Sequence, residues 1–125
     1  MSTLNVANIT DGVTSVGTSY VVNGSAKAWV NANGSGFAVL ESFNASSVVD
    51  NSTGNYRLNF SSGMAGNTFF AFGGQVSPSG SNIRVSGPNN GGNRASTYQN
   101  FESYQQGTGN VDKENVGCGV MGDLA

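Results

Sequence analysis

Three stretches decide the fold: Ala26-Lys-Ala-Trp-Val-Asn-Ala-Asn-Gly-Ser-Gly36, Ser42-Phe-Asn-Ala-Ser-Ser47 and Gly54-Asn-Tyr-Arg-Leu-Asn-Phe60. In the last, Tyr56, Leu58 and Phe60 alternate with Arg57 and Asn59. A period of two puts three apolar side chains on one face of a strand and two polar ones on the other. In the first, Ala28, Val30 and Ala32 share one face, and Lys27, Trp29 and Asn31 share the other. Trp29 therefore stands on the polar side of its strand, which points to a sheet covered on both faces or to an interface. Asn33-Gly34-Ser35-Gly36 reads as a hairpin turn, because Asn and Gly tolerate positive φ. Phe37 to Phe43 can then pair back as the second strand.

The same punctuation continues outward. Val48-Val49 is a short strand ending at the turn Asp50-Asn-Ser-Thr-Gly54. Thr68 to Phe72 is almost wholly apolar and reads as a buried central strand, which Gly73-Gly74 ends or bulges. Ile83 and Val85 mark another strand, stopped by Pro88. Ser77–Asn82 and Asn89–Asn93 read as loops. In the last segment Val116, Cys118 and Val120 share a face, with Gly117, Gly119 and Met121 on the other. That suits a closing strand packed against another backbone. No segment argues for a helix longer than a turn. Seven or eight short strands with turn signals every ~8–12 residues predict an all-β antiparallel β-sandwich, jelly-roll-like, over 25–125.

Residues 1–24 differ. Their apolar residues (Leu4, Val6, Ile9, Val13, Val16, Tyr20, Val21) are too few for a core of their own. The segment reads as an extended N-terminal arm that needs another surface, with Leu4, Val6, Ile9, Val13 and Val16 as its contacts.

Composition narrows the function. Gly, Asn, Ser and Thr make up 61 of 125 residues, so solubility rests on amides and hydroxyls. The recurring Val, Ile, Phe and Tyr separate the chain from a flexible linker. The net charge of −2 and the scattered Lys27, Arg57, Arg84, Arg94 and Lys113 argue against a nucleic-acid partner. No run of about 20 apolar residues exists to span a membrane. The first ten residues do not read as a signal peptide, so the six Asn-X-Ser/Thr sequons read as a by-product of Asn/Ser richness.

Chemistry is sparse. There is no histidine, which removes the commonest general base and every Ser/Cys–His triad. Cys118 is alone and reads as a small buried apolar residue. Among seven carboxylates, Glu41 and Glu102 are the candidates for a paired site, with Arg57 nearby. The Asp50 loop offers one acidic group, too few for calcium. Asp112-Lys113-Glu114 reads as a solvated turn. The expectation is therefore no enzyme, no cofactor and no metal. One further segment, Tyr98 to Gly107 with Tyr98, Phe101 and Tyr104 among Asn and Gln, reads as core with ordinary loop, as a subunit interface, or as a carbohydrate-contacting loop.

The opening stretches, with Met64 and the terminal Val116-Gly-Cys-Gly-Val-Met-Gly-Asp123, resemble a domain of tailed-bacteriophage virion proteins, seen in marine-phage tail-fibre and structural proteins. The similarity spans roughly residues 26–123 and is thin from about 70 to 115. Ala32 stands where such proteins often carry an aromatic, and Glu41 where a basic residue is common. The resemblance implies a virion location, after assembly in the bacterial host cytoplasm. With the arm, it leads to a capsid decoration (cement) protein or short head fibre. Such a chain is expected to be a homotrimer around Trp29, Phe37 and Tyr56, partnered by phage capsid or tail proteins. The alternative is a receptor-binding tail fibre that recognises a host surface glycan through Tyr98, Phe101 and Tyr104.

Overall fold

A computed structural model describes residues 5–75, 81–85 and 94–125. Leu4, Pro88, the Asn89–Asn93 loop and most of the Ser77–Asn82 loop lie outside the described residues. The described residues are mostly β, in antiparallel sheets, with one short helix and no closed barrel among them.

The arm is not simply extended. β1 (Asn8–Thr10) and β2 (Ser15–Gly17) form a two-stranded hairpin. Its turn is made by Asp11, whose Oδ1 accepts from the backbone N–H of Thr14 at 2.7 Å and of Val13 at 3.0 Å. These N–H donors hold the Asp11 carboxyl below its usual range. Gly12 takes φ +96°. A helix, α1 (Thr18–Gly24), follows, against the expectation of none longer than a turn. It buries none of its residues and has no side-chain N-cap, so no apolar stripe announces it.

The first large sheet has the order β4-β3-β12-β7. Its members are β3 (Ala28–Asn33), β4 (Ala38–Phe43), β7 (Phe70–Gln75) and β12 (Val116–Met121). The β3–β4 hairpin turns at Gly34–Phe37, where Asn33 Oδ1 accepts from the Ser35 N–H at 2.9 Å. The second sheet comprises β5 (Ala45–Ser52), β6 (Asn55–Phe60), β8 (Ser81–Val85), β9 (Arg94–Ala95), β10 (Tyr98–Gln105) and β11 (Gly109–Asn110). β10 is its hub and pairs with β6, β8, β9 and β11.

One core joins the two sheets. Ala28, Val30, Ala32, Val116, Cys118 and Val120 come from the first, and Tyr56, Leu58, Phe60 and Phe101 from the second. Met64 and Phe69 from the connection between β6 and β7 complete it. The alternation read in β3, β6 and β12 is what fills it. Burial pushes the Cys118 thiol up to about 12, so the thiol stays protonated as a packed apolar group.

Three segments depart from expectation. The run Thr68–Phe72 is not a strand buried on both faces. Among the described residues β7 pairs with β12 alone, and Phe69, just before it, and Ala71 turn towards the core. Phe70 and Phe72 point outward, 67% and 42% exposed. Tyr98–Gln105 is a central strand rather than a loop. And Asp112 is not merely solvated. Its Oδ1 accepts from the Gly54 N–H at 2.6 Å and the Tyr56 hydroxyl at 2.9 Å, latching the turn between β5 and β6 to the chain after β11.

That latch predicts a response to alkali. Burial first, then the Asp112 hydrogen bond and charge, push the Tyr56 phenol well above its ordinary value of 10.0. The folded state thus favours the neutral phenol. The contribution is intact below about pH 10, where an unfolded tyrosine begins to ionise, and is lost as pH rises towards the folded value. Urea midpoints measured from pH 9 to 12 should fall with a slope that flattens in Tyr56→Phe.

Candidate functional site

The outer face of the four-stranded sheet carries the most distinctive surface. On β3, Trp29 and Asn31 alternate with the buried Val30 and so face outward. On β12 the outward positions are Gly117 and Gly119. On β7 they are Phe70, Phe72 and Gly74. Register lines these up: Trp29, Gly119 and Phe72 stand abreast, as do Asn31, Gly117 and Gly74. The middle strand thus offers no side chain outward at two successive positions.

The result is a trough of about 690 Å³ floored by backbone. Trp29 and Phe72 form its aromatic end; Asn31 and Asn115 bring amides. Gly119 is required by close approach. A Cβ there would lie 2.5 Å from Phe72 Cζ, so only glycine lets that ring lie on the sheet. Phe70 stacks beside Phe72, centroids 6.4 Å apart at 27°. Among the described residues, no charged one lines the trough.

The other sheet's outer face is polar and internally satisfied. Arg57 lies over the Tyr98 ring, 4.3 Å from its centroid, and its Nε donates to Asn100 Oδ1 at 2.9 Å. Asn55 Nδ2 donates to Glu102 Oε1 at 3.2 Å, and Asn51 Nδ2 donates to Asn55 Oδ1 at 3.1 Å. Asn59 Nδ2 donates to Ser47 Oγ at 2.8 Å. Of the amides that suggested sugar contacts, these bonds engage Asn100, through its Oδ1.

The expected site residues therefore separate. Tyr98, Phe101 and Tyr104 do not form one loop surface: Tyr98 and Tyr104 share the outward face of β10, and Phe101 is fully buried in the core. Of the expected subunit contacts, Trp29 faces outward and half-buried. Tyr56 is fully buried and Phe37 packs on it, centroids 5.9 Å apart at 12°. Tyr56 acts within the chain, because an inward position of a packed strand cannot reach a partner; Phe37, partly buried in the β3–β4 turn, packs on it. Glu41 lies on β4 and Glu102 on β10, in different sheets, so they make no catalytic pair. Among the described residues no group of three or more His, Cys, Asp or Glu could hold a metal. No helix among them is long and apolar enough to cross a membrane.

The arm presents a second unsatisfied surface. Every residue from Asn5 to Val16 is exposed, as are those from Ser19 to Ser25. Val13 is 94% and Tyr20 76% exposed. Val6, Ile9 and Val16 are open as well. Lys27 ties the helix end to the domain, its Nζ donating to the Val22 carbonyl and, at 2.6 Å, to Ser25 Oγ. A third feature is the edge strand β4, exposed along its whole length, with Val39, Leu40 and Phe43 open. Register puts Val39 opposite the buried Ala32. An inward-facing position is therefore uncovered at this edge.

Compared with known proteins, the chain finds no match among family models, curated proteins or solved structures.

Proposed function

We propose that this chain is a non-enzymatic structural protein of a tailed-bacteriophage particle: a β-sandwich that decorates the capsid, or forms a short head fibre, and is held by its N-terminal arm. The observation that carries the reading is the arm itself. It folds into a hairpin and a helix, yet from Asn5 to Ser25 it buries no side chain. A segment with six exposed Val and Ile residues gains little by ordering itself in water. Laid on a capsid or a neighbouring subunit, each such side chain contributes about 1.5–3 kcal/mol before ordering costs. Several arms acting together give multivalent attachment.

Two sheets sharing one core support the sandwich reading. We assign self-association, as a homotrimer, to the β4 edge. Val39, Leu40 and Phe43 leave this edge largely apolar, interrupted by Glu41 but without the Lys or Pro that usually blunts an edge. Trp29, beside Phe43 in the register, adjoins this strip.

Removing residues 2–22 tests the arm. Full-length protein is expected to co-sediment with capsids stripped of it, and the truncated chain to lose at least tenfold in affinity while its melting curve is unchanged. Equal binding would sink the attachment reading. Imaging of intact particles separates it from a receptor-binding tail fibre: the decoration reading requires density on the capsid lattice, and density confined to the tail overturns it.

A further inference from the structure

We propose that the glycine-floored trough between Trp29 and Phe72 is a binding site for a neutral saccharide. This goes beyond the structural role, and stands or falls independently of where the protein sits in a particle.

The floor decides what can bind. Gly117 and Gly119 belong to the middle of a sheet, with β3 paired on one side and β7 on the other. Their backbone groups are committed to the two ladders, so the β12 floor itself offers an extended peptide no free backbone to pair with. Among the described residues the lining holds no charged side chain to balance a phosphate, carboxylate or ammonium. What remains is a neutral ligand with an apolar face and a hydroxylated rim. A pyranose has both: its axial C–H face packs on an aromatic ring, and its equatorial hydroxyls exchange hydrogen bonds with amides.

The dimensions agree. Trp29 and Phe72 stand abreast across Gly119, and the Phe72 ring lies over that glycine, so together they make one aromatic end. The Asn31–Gly117–Gly74 row beside them carries only one side chain, so the trough is open there. Its volume of about 690 Å³ is within the ~300–1,000 Å³ of small-molecule sites. The aromatic end would take the sugar's C–H face, and Asn31 and Asn115 its hydroxyls. The trough opens on the β12 side of Trp29, and Phe43 stands on the β4 side, so a ligand and a β4-edge contact can coexist.

Trp29 is the only tryptophan in the chain and reports on the site directly. Full-length protein is titrated with cellotriose, chitotriose and mannotriose at millimolar concentrations while emission is followed. At least one is expected to give a saturable change, confirmed by calorimetry. Gly74→Val is the blocking variant. A Cβ at Gly74 meets nothing within 4 Å, so valine fills the trough without disturbing the fold. It is expected to cost at least tenfold in affinity with an unchanged melting curve. Asn115→Ala should cost about fivefold, one hydrogen bond, and Trp29→Ala should abolish the calorimetric signal. The proposal is overturned if none of the three sugars gives a saturable change, or if Gly74→Val binds like the parent. It is also overturned if Trp29 emission responds only to protein concentration, which would make the trough a contact between copies.

Discussion

Gly54→Ala is expected to destabilise the protein by about 3 kcal/mol or more, enough to unfold a large fraction of a domain whose total stability is of the usual ~5–15 kcal/mol. Two costs combine. Gly54 sits at φ +62°, where a side chain adds roughly 1–3 kcal/mol of strain. Its Cβ would also lie 2.5 Å from Val111 N, 2.7 Å from Ser103 O and 2.7 Å from Val111 O. All three are backbone atoms, which cannot swing away as a side-chain tip could, and overpacking of that kind costs roughly 1–3 kcal/mol more. The same residue donates to Asp112 and accepts from the Ser103 N–H at 2.9 Å, so any shift also loosens those bonds. Gly107 is the control. It has φ +82° with nothing within 4 Å of its would-be Cβ, so Gly107→Ala should carry the strain alone, about 1–2 kcal/mol. Urea unfolding of the two variants separates the costs. If Gly54→Ala is no worse than Gly107→Ala, the turn is not pinned between β10 and β11 as described.

That pinning was invisible in the sequence, and the reason is physical. Asp112 stands in a charged triplet that looks like any solvated turn. Its partners, Gly54 and Tyr56, lie more than fifty positions away. Strands β3, β6 and β12 were legible because each has one face in the core and one outside, so apolar and other residues alternate. β10 breaks that rule. Its inward positions are Gln99, Phe101 and Ser103, all buried, and both of its tyrosines stand on the outward face. The alternation is scrambled, and an internal strand reads as an aperiodic loop. β7 fails in the opposite direction, because Phe70 and Phe72 make an outward aromatic face look like core. The hairpin in the arm did leave a signal, Asp11-Gly12 between Ile9 and Val16. The trough was half legible. Trp29 outside its sheet and glycines on the outward side of the last strand could be read, but Phe72 meets them only through a pairing between strands over forty residues apart.

Phe101→Ala is the second large effect, expected to cost about 3–5 kcal/mol, the range for truncating a buried aromatic. Phe101 is fully buried, stands opposite Tyr56 in the β6–β10 register and packs on its ring at 5.4 Å and 33°. Tyr56 in turn stacks on Phe37, so one truncation undermines a row of three aromatics that closes one end of the core. The site also cannot collapse cheaply, because β10 is held by β6, β8, β9 and β11 and is not free to move into the void. Tyr104→Ala, on the outward face of the same strand, should cost under about 1.5 kcal/mol, and the Phe101→Ala/Tyr56→Phe double variant should be non-additive because the Tyr56 ring packs on Phe101. The comparison discriminates roles as well as energies. A residue on a receptor-contacting loop could be truncated with little loss of stability, whereas a core residue in the hub strand cannot. If Phe101→Ala melts within a degree or two of the parent, the placement of β10 at the centre of its sheet is wrong. The Tyr98–Gly107 segment would then return as a surface candidate.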